Sequence, residues 1–500
     1  MAEPGRSPAP VRPSGDPLPW RNWAENQAVY AQHIYRPRRL DELVALVREV
    51  SARNGRLRSV ATGLSFSDIL QTDDALLQMT DFLAEGQPGV LLPLEEELWS
   101  NPTPLEPRVR IPAGARLRAL NDALAAAGLA FSNLGGYDGQ TMVGALSTST
   151  HGSGIKLRPL PDAVLSLDLV STGGERFRIE PAAGITDSGK FRKRYREAMT
   201  LIQDDDTFNA VIVSLGCMGV ITAVTLQVRA AYRLVEQRTV RDWSRVKREL
   251  RGRVFDRYRH YEISLNPYQR RDGDYTCIVT TRRVAPTGTE KIPLTEGRKR
   301  AQALLFLASS QRGLLAVMRN APRFIPFIVE ESVRQLVTDK DGHIDDSYRI
   351  FNWGDVNTAE VLSGEYFFPI AGDRYISGAE RLLAVIDGNR KRGIWQTGPI
   401  SFRFIQGSRA YLSMAEGAEC CSLEIPVFAG LAGAPEALLS YEQAVYEEHG
   451  RVHWGQVHEL SGHPGWLDRA YEKAAAWKRV YHAFNSKHVF DNHFTDRMKL

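Results

Sequence analysis

NLGGYDGQTMVGALSTSTHGSG, running from Asn133 to Gly154, holds six glycines and six serines or threonines in 22 residues. That spacing suits neither a long helix nor a regular strand. Gly135 and Gly136 permit tight turns, and Gly144, Gly152 and Gly154 keep the backbone open to close approach. Thr141, Ser147, Thr148, Ser149 and Thr150 add hydroxyls on short side chains. A loop of this kind can present backbone N–H groups to a phosphate. It matches neither the GxGxxG dinucleotide fingerprint nor the GxxxxGK[ST] phosphate loop. On the residues alone two readings stay open, a phosphate cradle and a glycine-rich structural crossover.

Upstream, a second small-residue loop sharpens the first reading. A helix is expected from Pro37, with Leu40, Leu43, Val44, Val47 and Val50 on one face and Gly55 ending it. Residues 56–61 read as a short strand, which runs into Ala61, Thr62, Gly63, Leu64, Ser65, Phe66 and Ser67. Gly63, Ser65 and Ser67 are small enough to let a pyrophosphate reach the main chain. A strand and turn at 75–82, a strand from Val109 and a helix carrying Leu117, Leu120 and Leu124 complete an alternation of the α+β kind.

Downstream, Ala163–Val170 alternates, turns at Thr172–Gly174 and returns through Arg176–Ile179 as a hairpin. Phe208–Val228 reads as an apolar segment, a Gly216–Gly219 corner and a β-branched strand. Residues 231–450 are richer in aromatic groups. Strands are expected at 275–281, 398–405 and 420–426, with helices at 296–318 and 374–389, giving an antiparallel sheet flanked by helices. The expected division is a disordered tail at 1–18, a cofactor-binding domain at 19–230, a substrate or cap domain at 231–450, and a segment at 451–500 that returns to the first domain.

Composition narrows the function classes. A net charge of +4 from 63 basic and 59 acidic residues, with no continuous basic stretch, points away from nucleic acid. No apolar stretch is long enough to span a bilayer, and the proline-rich N-terminus has no secretory apolar core. The four cysteines lack metal-ligand spacing, so a reduced, cytoplasmic protein with no metal site is expected.

ATGLSFSD at 61–68, the 133–154 loop and LGCMGVITAVTLQV at 215–228 together resemble FAD-binding oxidoreductases of the vanillyl-alcohol oxidase type. Within that group the chain looks most like the sugar-lactone and alditol oxidases, and HWGQ at 453–456 and VFDNHF at 489–494 fit the same pattern. The resemblance implies an FAD domain of two α+β subdomains and a cap domain with an antiparallel sheet. It places the pyrophosphate on residues 61–67 and 147–154, with His151 as a structural or phosphate-side contact. The adenine end would lie near Gly219, Val220 and Ile221.

The departures from that pattern matter. Leu64 stands where many members carry the histidine that bonds covalently to flavin, so noncovalent FAD is expected. Gly136 replaces a serine, Ser401 replaces the glutamate of a Glu-x-Arg strand, and Gln456 replaces a lysine. Arg403 persists. Arg403, His453, Glu424 and Gln456 are the candidate catalytic residues, with Glu365 a second carboxylate. Arg403 would stabilise a developing alkoxide and His453 would act as general base. Strand alternation sends Phe402 and Phe404 to the face opposite Arg403, and puts Ser401 and Ile405 on its own face. The expected reaction is hydride transfer from a CH–OH group of an alcohol or lactone-like small molecule to flavin N5. Molecular oxygen is the expected acceptor, favoured by the space at Gly135 and Gly136. Oxidation of a C–N or C–C bond, and flavin binding without turnover, stay as alternatives.

Overall fold

The computed structural model describes residues 19–83, 89–101, 103–294, 312–335, 337, 342–352 and 361–500. The tail expected at 1–18 and most of the helix expected at 296–318 lie outside them.

Two sheets build the cofactor-binding side. A parallel three-stranded sheet has the order His33–Tyr35, Ala75–Gln78, Leu57–Val60. The helix Leu40–Ala52 covers it, burying Leu43, Val47 and Val50 of the stripe that the spacing predicts and Leu46 beside them, with Leu40 and Val44 partly buried. Glu42 accepts the backbone N–H groups of Arg38 (2.9 Å) and Arg39 (3.3 Å), satisfying donors that the first helical turn leaves unpaired. A second sheet of five strands runs Thr200–Gln203, Arg176–Glu180, Val164–Val170, Val220–Gln227, Arg108–Pro112. Its hairpin Val164–Val170 with Arg176–Glu180 is antiparallel, as the turn at 172–174 predicts.

The cap is an eight-stranded, wholly antiparallel sheet. Its order is His343–Asp346, Arg233–Asp242, Thr276–Val284, His260–Leu265, Ile400–Ile405, Cys420–Phe428, Val361–Pro369, Arg451–Val452. Helices Arg374–Lys391 and Ala434–Glu447 pack on Val361–Pro369. Phe402 and Phe404 point into this core, with Phe402 against Trp243 (5.4 Å between rings) and Phe404 stacked on Phe255 (4.4 Å). The opposite face of the same strand is thereby left for Ser401 and Arg403. Ile405 differs from expectation. It is buried where the strand ends, forming an isolated bridge with Gly154, and does not line the cavity that Ser401 and Arg403 face.

The last fifty residues bind the two sides together. Leu57 N–H donates to Val489 O (2.6 Å), and Asn492 Nδ2 donates to the carbonyls of Ile69 (3.0 Å) and Gln71 (2.9 Å). Phe66 N–H donates to Gly455 O (2.7 Å), so the first small-residue loop and the HWGQ segment touch directly. No helix among the described residues is long and apolar enough to cross a membrane.

Candidate active site

One cavity of about 850 Å³ runs between the two cofactor-side sheets and under the cap. Arg58, Leu215, Gly216, Gly219, Val220 and Ile221 line one part of it. Its middle is walled by Ala61, Thr62, Gly63, Leu64, Ser65 and Phe66 on one side and by Gly135, Gly136, Thr141, Gly144, Ser147, Thr148 and Thr150 on the other. At the far end stand His151, Glu365, Ser401, Arg403, Glu424, His453 and Gln456. Nearly all the residues singled out in the sequence therefore line one cavity.

Local structure explains why these loops are open. Thr141 Oγ1 accepts Gly144 N–H (3.3 Å), capping a helix of only six residues, Met142–Ser147, beyond which Ser149 stands at φ 58°. Gly219 has φ 132°, and a Cβ there would stand 2.7 Å from Val170 O, so only glycine fits this corner.

Three residues expected at the cofactor do not line the cavity. Ser67 Oγ instead donates to Trp454 O (2.7 Å), tying the loop to the C-terminal segment. A Cβ on Gly152 would strike Asn133 and Leu134 O. Gly154, at φ 125°, packs its α-carbon against Arg259 O and donates to Phe404 O (2.6 Å). Both glycines serve close backbone packing behind the loop.

The far end gathers charges that are distant in sequence. Glu424 stands directly across the sheet from Ser401, and Glu365 directly across from Glu424. Arg403 Nη1 reaches both carboxylates, Glu424 at 2.7 Å and Glu365 at 3.4 Å. Position 401 has no carboxylate, and two stand instead on the next two strands to one side. Arg403 keeps 25 % of its side chain exposed, towards the cavity. Burial opposes its charge, and Glu424 and then Glu365 more than restore it.

His151 also falls here. Its Nε2 lies 3.2 Å from Glu365 Oε1, and its Nδ1 lies 2.9 Å from Gly152 O. A carbonyl only accepts, so Nδ1 is the ring nitrogen that donates to Gly152. Burial alone would raise the Glu365 carboxyl. His151, then His453 and Arg403, hold it well below the ordinary range. His453 Nδ1 accepts Gly455 N–H (3.0 Å), which leaves the proton of its neutral ring on Nε2. Burial is the main cause that brings the His453 pKa down to about 4. His151, Glu365 and His453 offer three ligand atoms within 4.8 Å of one another. Arg403 already supplies positive charge to the same Glu365 oxygen.

The cavity fits a dinucleotide on the chain's own terms. Its middle is small side chains and glycine backbone. Two buried polar groups on its wall, Arg58 Nε and Nη1 and Gln456 Oε1, have no hydrogen-bond partner among the described residues.

Residues 31–180 match the FAD binding domain, and residues 224–498 match the family described as D-arabinono-1,4-lactone oxidase. The chain belongs to that family. It is an FAD-dependent oxidoreductase. Similar proteins by sequence include an L-gulono-1,4-lactone dehydrogenase of Mycobacterium tuberculosis, 28 % identical over 96 % of this chain and 98 % of that protein. An L-gulonolactone oxidase of Scyliorhinus torazame is 22 % identical over 88 % of this chain and 89 % of its own. Among solved structures, cholesterol oxidase from B. sterolicum superposes with a TM-score of 0.74 at 14 % identity, covering 98 % of this chain and 99 % of that one. That likeness shows the fold.

Sequence reasoning missed Arg58 altogether. It also left Glu365 and Glu424 as alternatives, because strand order in a sheet is not written in the chain.

Proposed function

We propose that this flavoenzyme oxidises a CH–OH group of a hydroxylated lactone at the cap end of the cavity, with molecular oxygen as acceptor. The observation that carries the reading is Arg403, held by Glu424 and Glu365 beside His453 at the end of a dinucleotide-shaped cavity. FAD, when bound, accepts the hydride from the substrate carbon. Residues 61–66, 135–136, 141–150 and 219–221 would hold it. The names of the gulonolactone and arabinonolactone enzymes in the family support a lactone substrate.

Arg403 receives the substrate oxygen and stabilises its developing charge, with no reorganisation because two carboxylates already fix the guanidinium. Glu424, partly open to the cavity, takes the hydroxyl proton. His453 is a hydrogen-bond donor through Nε2 and not the general base, since its Nδ1 is occupied by Gly455. Gln456 stands where its amide can orient the lactone. Further out, Met318, Ile328, Val333, Val361 and Phe428 line the cavity, so the favoured lactone carries an apolar substituent.

Leu64 lines the cavity with carbon only, which supports noncovalent FAD. The four free, buried cysteines support a reducing, cytoplasmic setting. Division at about residue 230 into a cofactor-binding part and a cap follows the change from the five-stranded to the eight-stranded sheet.

The test is anaerobic mixing of the purified flavoprotein with L-gulono-1,4-lactone, D-arabinono-1,4-lactone and an alkyl-substituted hydroxylactone. Bleaching of the flavin band, then recovery in air with stoichiometric peroxide, is expected. If none of the three bleaches it, the substrate reading fails; bleaching without recovery in air makes the enzyme a dehydrogenase. Acid precipitation separately checks the linkage, and colour kept in the pellet would rule out noncovalent FAD.

A further inference from the structure

Arg58 is the second residue of the strand Leu57–Val60, between Leu57 and Ser59, and is only 2 % exposed. A buried guanidinium normally has a carboxylate against it, because removing its charge from water costs several kcal/mol. Here Nη2 donates to the carbonyl of Leu215, while Nε and Nη1 are buried and unpartnered among the described residues. Asp68, the carboxylate whose charge acts on it, is already engaged by Arg497, which donates to both of its oxygens (2.6 and 2.9 Å). Cys217, the other group near it, is a buried thiol pushed up to about 12 and therefore neutral. Burial pulls Arg58 itself down to about 10, the mark of a cation whose partner is missing.

The same side chain lines the dinucleotide cavity, directly before the Ala61–Phe66 loop and against Gly216. A Cβ on Gly216 would stand 3.2 Å from Arg58 Nη2, so glycine at 216 leaves the guanidinium room. An unpaired cation on the wall of a cavity that takes a dianionic cofactor has an obvious complement.

We infer that Arg58 is a cofactor-binding residue whose guanidinium pairs with the pyrophosphate of FAD, so that the protein folds with a charge that only the cofactor neutralises. The pairing is an ion pair with charge-assisted hydrogen bonds from the unpartnered Nε and Nη1. It rests on FAD as the cofactor and not on the substrate. Two consequences follow. Affinity depends on the phosphates and not on the flavin ring alone. Replacing Arg58 by an apolar residue of similar length weakens cofactor binding while relieving the cofactor-free protein of a buried charge.

The experiment uses the full chain stripped of flavin, and measures binding of FAD, ADP and riboflavin by fluorescence and by melting temperature. Arg58→Met is expected to bind FAD and ADP about tenfold or more weakly, to bind riboflavin as the wild type does, and to melt no lower than wild type when empty. Arg58→Lys should recover part of the loss. In the wild type itself, ADP should bind at least about tenfold more tightly than adenosine, a comparison that stands even if a variant does not fold. Equal binding of ADP and adenosine by the wild type would overturn the proposal. So would an Arg58→Met protein that binds FAD and ADP normally, or one that loses riboflavin and ADP alike.

Discussion

At the scale of single residues, the chemistry is set by which groups are buried and what faces them. Arg403 is the clearest case. Replacing it with methionine removes the cation aimed at the substrate oxygen, and kcat/KM is expected to fall by roughly 10²–10³. Glu424→Gln should lower it too, with FAD loading unchanged. Titration gives a second test, in stability. His453 is brought down to about 4 and His458 to about 3, mainly by burial, from an ordinary 6.5. The unfolded chain binds these protons first as pH falls, so each histidine removes stability below pH 6.5 until its folded pKa is reached. Glu442 works the other way. Burial raises it from 4.5 to about 7, so its contribution is lost as pH rises through that range. Between pH 4.5 and 6.5 the two histidines outweigh the one glutamate, at about 1.4 kcal/mol per pH unit for each group. Urea midpoints should therefore rise with pH in this window, and Glu442→Gln should make the rise steeper; a flat or falling profile in the variant would refute the assignment.

At the scale of elements, much was legible because it rests on periodicity or on backbone freedom. The stripe Leu43, Val47 and Val50 predicts a helix, and the alternation around Arg403 separates Phe402 and Phe404 from the cavity. The glycine-rich loop was readable as an exposed-backbone segment, but the work of each glycine was not. Gly152 and Gly154 meet Leu134 and Arg259, contacts that only the folded chain creates. Likewise Glu365 and Glu424 join Arg403 through the order of three strands, and Arg58 looks in sequence like any surface-strand arginine. Two substitutions probe this level. Phe404→Ala opens a hole against Phe255 and should cost about 3–5 kcal/mol in chemical unfolding. Gly219→Ala forces a Cβ towards Val170 O and should cost about 1–3 kcal/mol, with weaker FAD retention. A neutral result at Gly219 would mean that the corner can shift.

At the scale of the whole molecule, the site exists only because three parts of the chain meet. The parallel sheet brings the 61–66 loop, the five-stranded sheet brings the 135–150 and 216–221 loops, and the cap brings Arg403 with its carboxylates. The C-terminal segment closes the arrangement through Asn492 on Ile69 and Gln71 and through Gly455 on Phe66. Asn492→Ala should lower stability by about 1–3 kcal/mol, since two buried carbonyls lose their donor. The central claim is that substrate is oxidised where Arg403 faces the flavin end of this shared cavity. The most direct test is anaerobic stopped-flow reduction of bound flavin by a hydroxylated 1,4-lactone, in wild type and in Arg403→Met loaded to the same FAD content. The account predicts rapid bleaching in the wild type and a rate at least about a hundredfold lower in the variant. Equal rates in the two proteins would contradict it.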